Sequence, residues 1–198
     1  MGPGAGAASL ALLAAREACR EGGALVVVDR HGTFYPPAAA DGGVEPAGVV
    51  VVRPRSAKDH AWALTQALRC AGVAATLAWD ESFSNRTWRR LQLAAEQGGG
   101  LGLMIRPARV RDTPSWAEVR LLVRPLTSQR GRRLQVELLR CRGGWGGQTV
   151  VLEYDDETGA MCDGTVRDGI TQRGLQSEQG GRPGNATRPG SLPARKAQ

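Results

Sequence analysis

Near its start the chain reads Gly2-Pro3-Gly4-Ala5-Gly6-Ala7-Ala8-Ser9-Leu10-Ala11-Leu12, a glycine-rich turn running into an apolar helix. Such a turn can present backbone N–H groups to phosphate oxygens at a helix start, where the helix dipole favours negative charge. Nucleotide-hydrolysing loops of this layout add a lysine against the β- and γ-phosphates and a hydroxyl on Mg²⁺. Here Ala7 or Ala8, depending on register, stands where the lysine belongs. The plainer alternative is a glycine-rich leader before an ordinary helix.

Few other residues have types and spacing that could do chemistry. Cys19, Cys70, Cys141 and Cys162 are scattered with no C-x-x-C pair, and only two histidines exist, so no zinc site assembles at normal spacing. The cysteines read as reduced, mostly packing residues of a cytosolic protein. Asp80 ends an apolar run and is placed either to hold magnesium through water or to cap the following turn. Trp145, within Arg142-Gly143-Gly144-Trp145-Gly146-Gly147, exposes an aromatic in a glycine-rich turn beside arginines and is a candidate binding tip. The other tryptophans, Trp62, Trp79, Trp88 and Trp116, read as core or interface anchors.

Charge is more informative than chemistry. The chain carries a net +7, and residues 101–145 hold ten arginines against Asp112, Glu118 and Glu137, so this block accounts for the whole excess. Guanidinium groups pair bidentately with phosphate oxygens, which suits a nucleic-acid contact. Against that stands a solvated face, because only Lys58 and Lys196 are lysines among the 26 basic residues and arginine is favoured throughout. At 198 residues a single domain can bury roughly 70% of its unfolded surface without disulfides. No apolar run reaches the roughly 18 to 20 residues of a membrane helix, and no positive n-region marks a signal peptide.

The positioning elements follow from periodicity. Leu10 to Cys19 predicts a helix stopped at Gly22-Gly23. Ala24–Val28, Val49–Val52, Val73–Trp79 and Leu101–Ile105 are short apolar, β-branched runs expected to be strands buried on both faces. Pro36, Pro37 and Pro46 mark a loop with at most a short helix around Ala38 to Ala40. Ser56 caps a helix to about Cys70 whose buried face would use Ala57, Ala61, Leu64 and Leu68. Asn85 opens another, with Trp88, Leu91 and Ala95 on one side, ending at Gly98-Gly99-Gly100. This alternation argues for an α/β fold with a mainly parallel sheet flanked by helices. Trp116 to Val123, Arg133 to Leu139 and Thr149 to Tyr154 then follow without helices, an antiparallel C-terminal extension. Residues 1–160 form the expected domain, and 161–198 a low-complexity tail expected to be disordered.

In this order of elements the chain resembles the core of the RecA recombinase superfamily over about residues 4–155. Within that superfamily it is similar to the ImuA proteins, which are RecA-like and SulA-related. The resemblance is carried by the loop remnant with Ser9-Leu10-Ala11-Leu12, Val26-Val27-Val28-Asp29, Phe34-Tyr35-Pro36-Pro37-Ala38, Val52-Arg53-Pro54, Trp62-Ala63-Leu64-Thr65-Gln66-Ala67-Leu68-Arg69, Arg89-Arg90-Leu91-Gln92-Leu93-Ala94-Ala95-Glu96, Pro114-Ser115-Trp116-Ala117 and Leu139-Arg140-Cys141-Arg142-Gly143-Gly144. It implies a RecA-like P-loop NTPase core whose nucleotide loop, Gly4, Gly6, Ala7, Ala8 and Ser9 with Asp80, is degenerate. Gly6 falls at the loop's last glycine, Ala7 at the lysine and Ala8 at the magnesium-binding hydroxyl. The water-activating glutamate two residues past the aspartate of the next strand is His31 here. A histidine can act as a base, though a loop histidine is the simpler reading. Met1 lies almost at the loop, without the preceding strand or the inter-subunit docking segment of recombinases, so either the chain is unusually short or its start is assigned too late.

The resemblance implies no ATPase and no cofactor, with only residual ATP binding left open. It implies an accessory protein in the DNA-damage (SOS) response that supports translesion synthesis in the cytoplasm. Its partners would be DNA polymerase-type mutagenesis proteins, RecA and DNA, with no membrane. Alternatives are a working DNA-dependent ATPase of the RecA type and a SulA-like inhibitor of cell division. Arg106, Arg109 and Arg111 follow the fourth strand, where RecA-like sheets present DNA-binding loops, and are the first choice for a DNA or partner patch. Arg130, Arg132, Arg133 and Trp145 are second, although the Arg130 to Arg133 turn can equally keep a hairpin soluble.

Overall fold

Valine-rich runs with no polar face need covering layers on both sides, and the inner strands Ala24–Val28 and Val73–Trp79 receive them. Val49–Val52 and Leu101–Ile105, expected to be buried on both faces, are instead edge strands only partly covered, with Val50 and Leu101 exposed. The computed structural model describes residues 6–79, 83–127, 132–144, 146–155 and 161–164. Helix α1 (Ala7–Ala18) leads through a 3₁₀ turn into β1 (Ala24–Val28), followed by α2 (Pro36–Asp41), β2 (Val49–Val52), α3 (Ala57–Arg69), β3 (Val73–Trp79), α4 (Asn85–Gly98) and β4 (Leu101–Ile105). The four strands form a parallel sheet in the order β2-β1-β3-β4. Alternate residues of β1 face opposite layers. Leu25 and Val27 pack with Ala11 and Ala15 of α1, Phe34 and Ala39, while Val26 and Val28 pack with Leu64 and Leu68 of α3 and with Trp88, Leu91 and Ala94 of α4.

The helices over the second layer begin with serine caps. Ser56 Oγ accepts from the Asp59 N–H at 3.1 Å and donates to the Asp59 carboxylate at 2.7 Å, and Ser84 Oγ accepts from the Thr87 N–H at 3.2 Å. Ser56→Ala should therefore cost about 1 kcal/mol of stability, read as a lower urea midpoint at unchanged slope. The expected stripe of α3 is displaced at its first turn. Ala57 is exposed, and His60 is sealed instead, its ring 5.5 Å from that of Phe83. His60, Ala63, Leu64, Ala67 and Leu68 follow the helical repeat, which leaves Ala57 on the rim of a surface cleft.

Beyond β4, the strands β5 (Val119–Leu126), β6 (Arg132–Cys141), β7 (Thr149–Tyr154) and β8 (Met161–Asp163) form an antiparallel sheet in sequence order. This is the expected antiparallel extension, and it forms a sheet of its own, because β5 pairs with β6 and not with the edge of β4. One expectation changes here. Met161–Asp163, expected in the tail, is a strand paired with β7. Its shortness hid it, since an edge strand of three residues needs a backbone partner more than a hydrophobic pattern. The rest of the expected tail, from residue 165, lies outside the described residues. The four cysteines are free, but they are not mainly packing residues: Cys70 and Cys162 are exposed, Cys141 is half-buried, and only Cys19, whose thiol is pushed up by burial, packs at the edge of the α1 layer.

Candidate nucleotide-loop remnant and arginine surface

Helix α1 starts at Gly6, whose φ of 100° lies where L side chains are strained. Its carbonyl accepts from the Leu10 N–H at 3.0 Å, and no side chain caps the helix start. Ala7, Ala8 and Ser9 occupy the first turn, half-buried. The space into which a Cβ at Gly6 would project is taken by the Cδ atoms of Leu134, a residue of β6 that is itself buried. An apolar side chain from the antiparallel sheet thus packs against the turn that a phosphate would approach. Neither a cationic side chain nor a carboxylate lies in the first turn of α1, so the groups that manage charge in a nucleotide loop are not supplied by this turn. Gly4 and Asp80 lie outside the described residues.

The other corner of such a site, the end of β1, has a structural task. Asp29 is 1% exposed and accepts from the Thr33 N–H at 2.9 Å, the Thr33 hydroxyl at 3.2 Å and the Phe34 N–H at 3.0 Å. Burial pushes its carboxyl up, but the hydrogen bonds from Phe34, Thr33 and Gly32 together outweigh that and hold it below the usual carboxylate range. The turn closes through Gly32 at φ 68°. His31, which the resemblance sets against the water-activating glutamate, sits exposed on this turn.

The arginines do not form one uniform surface. Arg106 is half-buried with its guanidinium 5.1 Å from the ring centre of Trp88, a buried core residue. Arg109 is exposed on a 3₁₀ turn after β4. Arg111 is exposed and pairs with Asp112 at 3.4 Å, while its carbonyl accepts from the Arg120 guanidinium. On β6, Arg132 stacks 4.3 Å from the ring centre of Tyr154, and Arg133 donates to the Gly164 carbonyl at 3.3 Å. Arg130 and Trp145 lie outside the described residues. Of the expected patch, Arg109 and Arg111 are exposed after β4, whereas Arg106, Arg132 and Arg133 also pack on aromatic rings or bond backbone.

No family model matches the chain. Protein ImuA of Caulobacter vibrioides is 32% identical over 142 aligned residues, covering 63% of this chain and 58% of the relative, and it matches in both strain NA1000 / CB15N and strain ATCC 19089 / CIP 103742 / CB 15. Among solved structures the RadB recombinase superposes with a TM-score of 0.54 at 15% identity, covering 78% of this chain and 85% of that one. The chain is similar in sequence to protein ImuA and shares its fold with the RadB recombinase. It spans 58% of the length of the curated relatives it matches. SulA from Pseudomonas aeruginosa gives a TM-score of 0.46 at 18% identity over 54% of this chain and 91% of that one, a likeness too slight to bear on the fold.

Within this RecA-like frame, sequence reasoning missed two residues that define the remnant. Leu134 lies far along the chain from Gly6, and no local signal ties the two together. Asp29 enters the sequence reading only as a landmark for the missing glutamate. The pattern Asp29-x-x-x-Thr33, with a glycine between, is legible as a side chain closing its own turn.

Proposed function

We propose that the chain is a non-enzymatic, RecA-like accessory protein of the DNA-damage response, supporting translesion synthesis by contact with DNA polymerase-type mutagenesis proteins, RecA and DNA. The start of α1 carries this reading. Ala7 and Ala8 replace the two cation-handling residues, His31 replaces the water-activating glutamate, and Leu134 packs on the last glycine of the turn. Missing together, these groups fit a fold retained for binding after turnover ended, because the lysine and the Mg²⁺ ligand stabilise transition-state charge and the glutamate activates the attacking water. Similarity to ImuA supplies the biological setting, and the arginine-rich segment from Arg106 to Arg142 supplies the cations for a polyanion or an acidic partner.

Two measurements test it. Purified chain incubated with labelled ATP should release phosphate at the rate of a heat-inactivated control, with or without single-stranded DNA. DNA-stimulated hydrolysis above that control overturns the reading in favour of a working ATPase. If the arginines meet DNA, affinity falls with salt, and Arg109→Ser with Arg111→Ser lowers the log-log salt slope by about one for each phosphate that a guanidinium no longer neutralises. An unchanged slope makes those arginines a solvated face.

A further inference from the structure

The parallel sheet changes its direction of winding between β1 and β3. From β1 the chain moves through α2 to β2 at one edge, and from β3 it moves the other way through α4 to β4. In open parallel sheets a crevice forms at such a point, outside the C-terminal ends of the two strands, and ligands settle there. A cleft of about 440 Å³ occupies this place, within the size range of small-molecule sites. Arg30 enters it from the end of β1, Lys58 and Trp62 from α3, and Phe83, Thr87 and Arg90 from the segment that opens α4.

The chemistry of the lining is one-sided. Three cationic side chains converge on the cleft, no carboxylate is among the described lining residues, and none of the three cations is in an ion pair among the described residues. The first turns of two helices of 13 and 14 residues also meet here, adding their positive dipole ends to the same field. Trp62 stands on the wall with 64% of its surface exposed, a flat indole left uncovered beside concentrated positive charge. Exposed indole next to cations is the pairing that receives a planar base and its phosphate. The cleft lies on the layer of Val26 and Val28, opposite the layer that carries α1, so it is distinct from the loop remnant.

We infer that this cleft binds a nucleoside phosphate, with the phosphate on Arg30, Lys58 and Arg90 and the base laid against Trp62. The ligand is either a free nucleotide or one unit of single-stranded DNA, and both present the same chemistry. Binding here is independent of the absent hydrolysis proposed above, which concerns α1.

Fluorescence titrations of the full chain with a labelled ADP and with a labelled ten-nucleotide oligo-dT decide the matter. Wild-type protein should bind at least one probe at low salt, and the probe bound identifies the source. Arg30→Ser with Lys58→Ser and Arg90→Ser should weaken that binding more than tenfold, and Trp62→Ala about tenfold because the base no longer stacks. All four side chains are exposed, so the variants keep the fold, which far-ultraviolet circular dichroism checks. A charge-matched control at exposed arginines that neither line the cleft nor belong to the arginine-rich segment, Arg20→Ser with Arg53→Ser and Arg69→Ser, should retain most of the affinity. Absence of wild-type binding to both probes overturns the inference. So does an equal loss in the two triple variants, or a Trp62→Ala protein that binds as well as wild type.

Discussion

Asp29→Ala should lower the unfolding free energy by about 2 kcal/mol, because it removes the buried acceptor on which the turn after β1 closes. The wild-type carboxylate satisfies the N–H groups of Thr33 and Phe34 and the Thr33 hydroxyl at once. Alanine leaves all three donors without that acceptor: the Phe34 N–H is buried and stays unpaired, while the donors of the exposed Thr33 can turn to water. Asp29→Asn should recover only part of the loss, since its amide must turn an N–H group toward a donor. The same carboxylate sets an acid limit on stability. Its folded pKa is held below the unfolded value, so its contribution is complete above the ordinary carboxylate range, near pH 4, and disappears as pH falls through the lower folded value. Denaturant midpoints measured from pH 6 down to pH 2 should fall more steeply for wild type than for Asp29→Asn. Parallel curves for the two proteins would remove Asp29 from the account of acid unfolding.

This turn also shows where a sequence is readable and where it is not. The strand Ala24–Val28 declares itself because a run of apolar, β-branched residues can only be a strand covered on both sides, and its length and position are as expected. The bounds of β2, β3 and β4 follow for the same reason, as does the cap at Ser56. The fold class, a parallel sheet flanked by helices with antiparallel strands after it, is therefore legible from local pattern alone. Long-range choices leave no such trace. Whether β5 joins the open edge of β4 or starts a new sheet depends on backbone pairing that every extended segment can offer, and the structure takes the second course. The exposure of Ala57 in place of His60 is a phase error of one helical step, which a short amphipathic segment does not resolve when its first turn overhangs a cleft. The arginines illustrate a third limit: their number is visible in sequence, but the stacking of Arg106 on Trp88 and of Arg132 on Tyr154 is set by tertiary packing.

Gly6 and Leu134 should prove energetically coupled, and the size of that coupling bears on what the turn at α1 now does. Gly6→Ala carries two separable costs. One is backbone strain at φ 100°, about 1 kcal/mol. The other is the collision of the new methyl with the Leu134 Cδ atoms, a further 1 to 2 kcal/mol or so as the core yields. Leu134→Ala alone should cost about 3 kcal/mol, since Leu134 is 4% exposed. In the double variant the methyl at Gly6 enters the space vacated by the leucine, so only the backbone strain remains on top of the Leu134 loss. The double variant is therefore more stable than additivity demands by about 1 kcal/mol or more, a coupling that urea unfolding of the four proteins measures. A glycine kept only so that phosphate can approach the backbone would show no coupling to a leucine in another sheet, and strict additivity would return Gly6 to that role. Coupling places the glycine in the packing between α1 and β6. On the proposed non-enzymatic reading, opening the space with Leu134→Ala leaves ATP turnover at background, because Ala7 and Ala8 supply neither the lysine nor the hydroxyl that phosphoryl transfer uses.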